Sequence, residues 1–182
     1  QIEACGSPWC LIFFVNYAII ITYMQNNHKE KTIIGRAERV KFPACANAVL
    51  HARIDTGAKT SSIWATDVKE TAEGLLVRFA SPGHEIYQHE HLFKHYDRVR
   101  VASSMGHAQI RYRVKMQIVI RGRRIMATFT LADRSTQVYP VLIGRATLNG
   151  KFIVDVQKGS PLREEEARRS EALQSDIKEE HI

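Results

Sequence analysis

The chain reads Val49-Leu50-His51-Ala52-Arg53-Ile54-Asp55-Thr56-Gly57-Ala58 at the point that decides its fold. The first six residues alternate in character as a β-strand does, and a carboxylate, a hydroxyl and a glycine follow at the strand end. Such a carboxylate can activate water, the hydroxyl can brace a loop, and glycine lets two backbones approach closely. Asp and Gly are also common in ordinary turns, so these residues alone leave both interpretations open.

A second stretch, much further along the chain, favours the catalytic interpretation. It reads Tyr139-Pro140-Val141-Leu142-Ile143-Gly144-Arg145. A short helical turn is expected next, at residues 146–150, and an apolar strand at residues 152–156. An apolar pair that ends in Gly-Arg and leads into a helical turn and a last strand is typical of the C-terminal half of a retropepsin protomer.

Together these stretches resemble a bacterial retropepsin-like family that is often labelled "ATP-dependent zinc protease" and is found beside ATP-grasp glutamate ligases. The matching motifs are Ile34-Gly35-Arg36-Ala37-Glu38, Ala52–Ser62, Ser103-Ser104-Met105-Gly106, Thr130-Leu131-Ala132-Asp133-Arg134 and Pro140–Arg145. The resemblance implies an all-β, retropepsin-like (acid protease) single-lobe β-barrel. It also implies an aspartic endopeptidase that acts on a peptide or protein substrate. The sequence itself predicts neither a cofactor nor a metal, because the spacing of its histidines and glycines fits neither.

The resemblance assigns roles to the residues of the first loop. Asp55 is the expected catalytic carboxylate, which serves as base or acid according to which protomer holds a shared proton. Thr56 should brace the two loops across a dimer axis, and Gly57 should bring backbone near the substrate. Ala58 completes the loop, where a larger side chain would crowd the site.

Two supporting residues and a homodimer complete this prediction. Gly144 should allow close packing beneath the Asp55 loop, and Arg145 should support the dimer contact by ion pairing. The chain contains one Asp-Thr-Gly, whereas the chemistry needs two facing carboxylates that share a proton. A two-fold axis supplies the second, so a homodimer is expected. The alternative is a non-catalytic dimeric peptide-binding or scaffold protein that retains the fold.

The region after the loop suggests a flap and a histidine-rich segment. Residues Leu75–Tyr87 are expected to form a hairpin around Ser81-Pro82-Gly83, which the resemblance equates with a flap over bound peptide. A zinc-binding helix needs His-Glu-x-x-His, with both imidazoles one turn apart. Within residues 84–95, His84 and His89 are five apart, and Leu rather than Glu follows His91. We therefore expect this segment to be solvated and mobile, and no catalytic metal.

Other chemistries lack their signatures. Residues 144–151 do not have the spacing of a phosphate-binding loop, and Phe rather than Ser or Thr follows Lys151. Residues 110–118 and 125–131 alternate like strands on either side of a turn at Arg121-Gly122-Arg123. Their basic face lacks an aromatic platform or recognition helix, so nucleic-acid binding is not expected. Attraction for an acidic peptide is a further interpretation. Asp133-Arg134 should form a structural pair or a turn anchor.

Charge and hydropathy divide the 182 residues into three parts. Trp9–Met24 is almost wholly apolar, so residues 1–28 are expected to be an anchor or signal-like segment with a linker. Residues 29–157 form the predicted domain. Residues 158–182 carry five basic and seven acidic residues. Their net charge is therefore −2, and residues 1–157 carry a net charge of +9, which gives +7 for the chain. This tail should be helical or disordered, outside the core.

The apolar segment and the cysteines bear on location. An inner-membrane protein of a bacterium with a single N-terminal anchor is expected, with its side left open, or alternatively export to the periplasm. Cys5, Cys10 and Cys45 have no metal or redox spacing, so they are expected to be free thiols.

Overall fold

The computed structural model describes residues 30–102 and 108–179, and it consists mainly of β-strands. The strands are β1 (Thr32–Ile34), β2 (Ala37–Phe42), β3 (Ala48–Asp55), β4 (Ser61–Thr71), β5 (Gly74–Phe79), β6 (Glu90–Phe93), β7 (Tyr96–Ala102), β8 (Ala108–Ile120), β9 (Arg123–Ala132), β10 (Val141–Gly144) and β11 (Phe152–Val154). The helices are α1 (Arg145–Leu148), α2 (Arg163–Glu179) and a 3-10 helix at Glu85–Gln88.

The predicted N-terminal anchor, residues 1–28, lies outside the described residues. Its role at a membrane therefore stays a prediction, as do the inner-membrane and periplasmic locations. Within residues 30–102 and 108–179, no helix has the length and apolar character needed to span a bilayer.

Six strands close into a ring. β10 pairs in parallel with β3 and antiparallel with β4, so the order β10-β3-β2-β8-β9-β4 returns to its start. β5 and β6 extend the sheet beyond β4, and β7 pairs with β8. β1 and β11 form a separate two-stranded parallel sheet. The all-β prediction is confirmed, and the ring is a barrel closed by β10.

The alternating pattern of β8 explains how the barrel is filled. Val114, Met116, Ile118 and Ile120 are buried, because successive side chains of a strand point to opposite faces. The chain then turns at Arg121-Gly122, whose φ angles of 47° and 76° suit a tight two-residue hairpin. β9 returns in register with β8. The two predicted strands and the turn between them are confirmed.

The hairpin predicted around Ser81-Pro82-Gly83 is wrong in its second strand. Residues Glu85–Gln88 form a 3-10 helix instead, and β5 pairs with β6 further along the chain. The helix buries Ile86 in the core, while the N–H of Tyr87 donates to the carbonyl oxygen of His84 at 3.0 Å. Since the second strand lies elsewhere, a flap hairpin over Leu75–Tyr87 has no support.

The histidine-rich segment is also more ordered than expected. His91 is half-buried on β6, and its ring centroid lies 5.3 Å from that of Phe79. Burial is the main cause that lowers the pKa of His91, and the charge of the neighbouring His89 lowers it further. Its Nε2 atom is buried without a hydrogen-bond partner among the described residues. The expectation of a wholly solvated segment is therefore wrong at His91.

The tail that follows β11 returns to the barrel before α2 begins. The N–H of Ser160 donates to the carbonyl oxygen of Ala37 at 2.7 Å, and the N–H of Leu162 donates to the hydroxyl of Tyr139 at 3.0 Å. Among the described side chains of α2, up to residue 175, Glu166 alone is half-buried and the others are exposed. The start of the tail thus contacts the domain, whereas most of α2 is solvated.

Candidate active site

The loop after β3 holds the Asp55 carboxylate in a defined position. The Oδ1 atom of Asp55 accepts hydrogen bonds from the N–H groups of Gly57 at 2.8 Å and Ala58 at 2.9 Å. These bonds form an Asx-turn, in which the side chain of Asp or Asn accepts hydrogen bonds from backbone N–H groups that follow it. Asp55 is half-buried, while Thr56 and Gly57 are exposed. Within the described part of the chain, no donor reaches the Oδ2 atom of Asp55, so this oxygen can interact with water or substrate.

Gly144 lies directly beneath this loop. It is the register partner of Asp55 in the parallel pair formed by β10 and β3. A Cβ atom added to Gly144 would lie 2.6 Å from the carbonyl carbon and oxygen of Thr60 and 3.0 Å from the carbonyl oxygen of Ala58. Because real Cβ atoms do not approach backbone so closely, the loop can occupy this position only above a glycine.

Backbone hydrogen bonds tie the start of α1 to the same loop. The N–H of Arg145 donates to the carbonyl oxygen of Ala58 at 2.9 Å, and that of Ala146 donates to the carbonyl oxygen of Lys59 at 3.1 Å. The first N–H groups of a helix have no partner within the helix. These bonds therefore satisfy two N–H groups of α1 and two carbonyl oxygens of the loop. The side chain of Arg145 is exposed. Its ion pair across a dimer contact therefore stays a prediction.

A buried pair of hydroxyl groups links β4 to α1. The Oγ atom of Ser61 accepts a hydrogen bond from the N–H of Gly144 at 3.1 Å and lies 2.8 Å from the Oγ1 atom of Thr147. Ser61 and Thr147 are both buried. The sequence showed small polar residues after the Asp55 loop, but it gave no reason to pair Ser61 with a residue so distant in the chain.

Arg134 lies near Asp55, although the sequence gave it only a structural role. Its Nε atom donates to the carbonyl oxygen of Tyr139 at 3.0 Å, and its Nη1 atom donates to the Oγ atom of Ser62 at 3.1 Å. Arg134 thus braces β4 and the segment before β10. Asp133 instead accepts a hydrogen bond from the N–H of Ser135 at 2.9 Å. Of the two predicted roles for Asp133-Arg134, the turn anchor is confirmed and the structural pair is not formed.

Three arginines give the site a positive field. Burial lowers the pKa of Arg134, the charges of Arg111 and Arg53 act in the same direction, and the Asp55 carboxylate opposes them. Arg53 is exposed, whereas Arg111 and Arg134 are half-buried. Since each of these groups interacts electrostatically with Arg134, they lie in one neighbourhood. This arrangement favours a ligand with negative charge.

The described residues offer no obvious metal-binding cluster. Nowhere in residues 30–102 and 108–179 do three His, Cys, Asp or Glu side chains come together as ligands would. Cys45 is buried and free, and burial raises the pKa of its thiol to about 11. A neutral, buried thiol is a poor nucleophile, so this cysteine acts as an apolar residue. Cys5 and Cys10 lie outside the described residues.

Comparison with known proteins identifies the family and the fold. A sequence model described as RimB-like, the retropepsin-like aspartic endopeptidase RimB, matches residues 33–164. Relatives from Shewanella pealeana and Shewanella halifaxensis are each named "Probable alpha-L-glutamate ligase". Each is 31% identical over 130 residues, which is 69% of this chain and 28% of the relative. The chain thus spans little more than a quarter of the length of these curated relatives.

A solved structure is similar over most of the domain. It is the crystal structure of a protein of unknown function from Legionella pneumophila. The TM-score is 0.56 at 24% identity, and the similarity covers 71% of this chain and 97% of that chain. This similarity confirms the fold.

Proposed function

The chain belongs to the RimB-like family of retropepsin-like aspartic endopeptidases, and we propose that it hydrolyses peptide bonds at a site shared by two copies. One Asp55 carboxylate takes a proton from water as the water oxygen attacks the scissile carbonyl carbon. The protonated Asp55 of the other copy donates its proton to the carbonyl oxygen. Collapse of the tetrahedral intermediate then breaks the C–N bond, and the leaving nitrogen receives a proton from the dyad.

The position of Asp55 is the observation that carries this proposal. Its carboxylate is fixed through Oδ1 on an exposed loop, and the loop is held from below by Gly144 and α1. Such rigid support is what a catalytic group needs, because small errors in position cost large factors in rate. An exposed loop can also meet its copy across a two-fold axis, where equivalent residues face each other.

The remaining predicted residues support this dyad. Exposed Thr56 braces the paired loops, Gly57 lies against the substrate backbone, and Ala58 leaves room around the two carboxylates. Gly144 allows the Asp55 loop to pack closely on β10. Arg145 forms an ion pair across the dimer contact, which its exposed side chain permits.

A glutamate-rich peptide is the substrate class that fits best. The two Shewanella relatives are each named "Probable alpha-L-glutamate ligase", and hydrolysis of a glutamyl peptide bond would break the kind of bond that a glutamate ligase forms. The positive charges of Arg53, Arg111 and Arg134 near Asp55 would attract the carboxylates of this peptide. The same charges disfavour a basic peptide.

One alternative function has an observation in its favour. The matched segment makes up 28% of proteins named as ligases, so the domain would there hold the peptide while another part of the protein acts on it. This chain would then be a non-catalytic, dimeric peptide-binding or scaffold protein. It would bind the peptide as well as an enzyme does, but it would not cleave it.

Digestion of a peptide library separates the two functions. Wild type, Asp55→Asn and Asp67→Asn proteins are incubated with the library at acidic and at neutral pH, and the products are identified by mass spectrometry. Asp67 is an exposed carboxylate on β4, so Asp67→Asn is the matched control. We expect cleavage next to glutamate by wild type and control, and none by Asp55→Asn. Equal cleavage by Asp55→Asn would contradict the proposal, and binding without cleavage by wild type would favour the scaffold.

A further inference from the structure

The carboxylate of Glu166 is held by three donors from the β-barrel domain. The Nη1 and Nη2 atoms of Arg36 donate to its two oxygens at 2.9 and 2.8 Å, and the hydroxyl of Tyr139 donates to Oε1 at 2.8 Å. A two-pronged guanidinium contact is the geometry with which arginine recognises carboxylates. Arg36 and Tyr139 thus form a ready binding site for a single carboxylate group.

This site lies beside the candidate active site. The carbonyl oxygen of Arg36 accepts a hydrogen bond from the N–H of Ile54 at 2.9 Å, one residue before Asp55. Arg53 favours the ionised form of Glu166, and the same Arg53 acts on Arg134, which also interacts with Asp55. Glu166 therefore lies in the same positive field that surrounds the catalytic carboxylate.

The chain between β11 and α2 delivers Glu166 to this position. The N–H of Arg36 donates to the carbonyl oxygen of Lys158 at 3.2 Å, and a Cβ atom added to Gly35 would lie 2.0 Å from the same oxygen. Together with the bonds made by Ser160 and Leu162, this contact holds the segment close to the barrel. The backbone contacts of this segment thus fix the position of Glu166.

From these contacts we propose that Arg36 and Tyr139 form a subsite for a glutamate side chain of the substrate, and that Glu166 of the same chain occupies it in the absence of substrate. The inference rests on the proposed function, whose substrate is a glutamate-rich peptide. The first turn of α2 reads Glu164-Glu165-Glu166, which has the chemistry of that peptide. A peptide must displace Glu166 before it can bind fully, so the tail lowers the apparent affinity of the enzyme.

The expected effect follows from occupancy. The apparent dissociation constant rises in inverse proportion to the fraction of protein whose site is open. A tethered ligand acts at a high effective concentration, on the order of millimolar for short links. If Glu166 fills the subsite about nine-tenths of the time, its removal should strengthen peptide binding about ten-fold.

Binding to a catalytically inactive protein tests this proposal separately from peptidase activity. A fluorescein-labelled penta-glutamate peptide is titrated with Asp55→Asn protein, and anisotropy is recorded. Glu166→Gln is added to this background, with Glu164→Gln as the matched control. Glu164 is exposed in the same helical turn, and its substitution removes the same charge. We expect about ten-fold tighter binding with Glu166→Gln and less than about two-fold change with Glu164→Gln.

A third variant tests the subsite itself. Arg36→Met keeps an unbranched side chain but removes the guanidinium fork. Added to the Glu166→Gln protein, it should abolish the gain in affinity, and a penta-glutamine peptide should show no gain in any variant. Equal strengthening by both Gln variants would show a general charge effect and overturn the proposal. So would unchanged or undetectable binding with Glu166→Gln. Failure of the proposed function would appear in library digestion with wild type, which this titration does not measure.

Discussion

Replacement of Gly144 by alanine tests how firmly the active-site loop is supported. The added methyl group would lie 2.6 Å from the carbonyl group of Thr60, well inside van der Waals contact. The atoms it meets belong to the backbone, so they cannot rotate away as a flexible side chain would. The Asp55 loop must therefore rise from β10, and the bonds from Arg145 and Ala146 to the carbonyls of Ala58 and Lys59 must lengthen.

The magnitude follows from these two effects. Overpacking of a filled interior costs about 1–3 kcal/mol. Weakening two backbone hydrogen bonds adds about 0.5–1.5 kcal/mol for each bond that is lost. If both bonds are lost, the free energy of unfolding should thus fall by about 2–6 kcal/mol, which corresponds to a decrease in Tm of about 5–20 °C for a domain of this size. Peptidase activity, measured where the variant is still folded, should fall about 100-fold, because Asp55 is displaced by about 1 Å.

Thermal unfolding followed by circular dichroism gives the stability, and cleavage of a glutamate-rich peptide gives the activity. Gly150→Ala is the matched control, since an added Cβ there meets no atom within 4 Å and φ is +69°. Its cost should be limited to the backbone strain of a left-handed alanine, about 1–2 kcal/mol. If Gly144→Ala is no more destabilising than Gly150→Ala and remains fully active, the loop is not supported by close packing on β10.

Three further predictions concern titration, thiol reactivity and metal. The contact with Arg36 lowers the pKa of Glu166, so its stabilising effect is present at neutral pH and is lost as the pH falls below the usual carboxyl pKa of about 4.3. The difference in urea midpoint between wild type and Glu166→Gln should shrink progressively as the pH falls below this value, and a constant difference would argue against this ion pair. With Cys5 and Cys10 replaced by serine, Cys45 should react with a thiol reagent only as the protein unfolds, because burial raises its pKa to about 11; rapid reaction of the folded protein would contradict this. EDTA should leave peptidase activity intact, and loss that zinc alone restores would overturn the aspartic mechanism.

The features that the sequence predicted well are those set by neighbouring residues. Alternation in residues 110–118 was enough to predict β8, because one face of a barrel strand is buried and the other is not. Arg121-Gly122 predicted its hairpin, since glycine accepts the left-handed backbone of a tight turn. The Asp55 loop could be located because its carboxylate, hydroxyl and glycine occur together with the apolar Gly-Arg stretch at residues 139–145.

The features that the sequence missed depend on contacts between distant parts of the chain. Ser81-Pro82-Gly83 was interpreted as a hairpin turn, but burial of Ile86 favours a 3-10 helix before the next strand. Arg134 lay in a recognised motif, yet its bond to Ser62 depends on how β4 and β9 pair in the barrel. Glu166 appeared to be one more charge on a solvated tail, and its fork with Arg36 follows from the path of the preceding segment.

A mixed-dimer assay tests most directly the central claim that two copies share one Asp55 dyad. Wild-type and Asp55→Asn proteins are co-expressed in equal amounts, with different affinity tags to verify that they pair at random. Asparagine cannot supply the ionised carboxylate, and it removes the charged neighbour that sets the protonation of the other Asp55. Random pairing leaves about a quarter of the dimers fully wild type, so activity per total protein should fall to about a quarter. A fall to about one half would show that each chain works alone, and the shared dyad would be wrong.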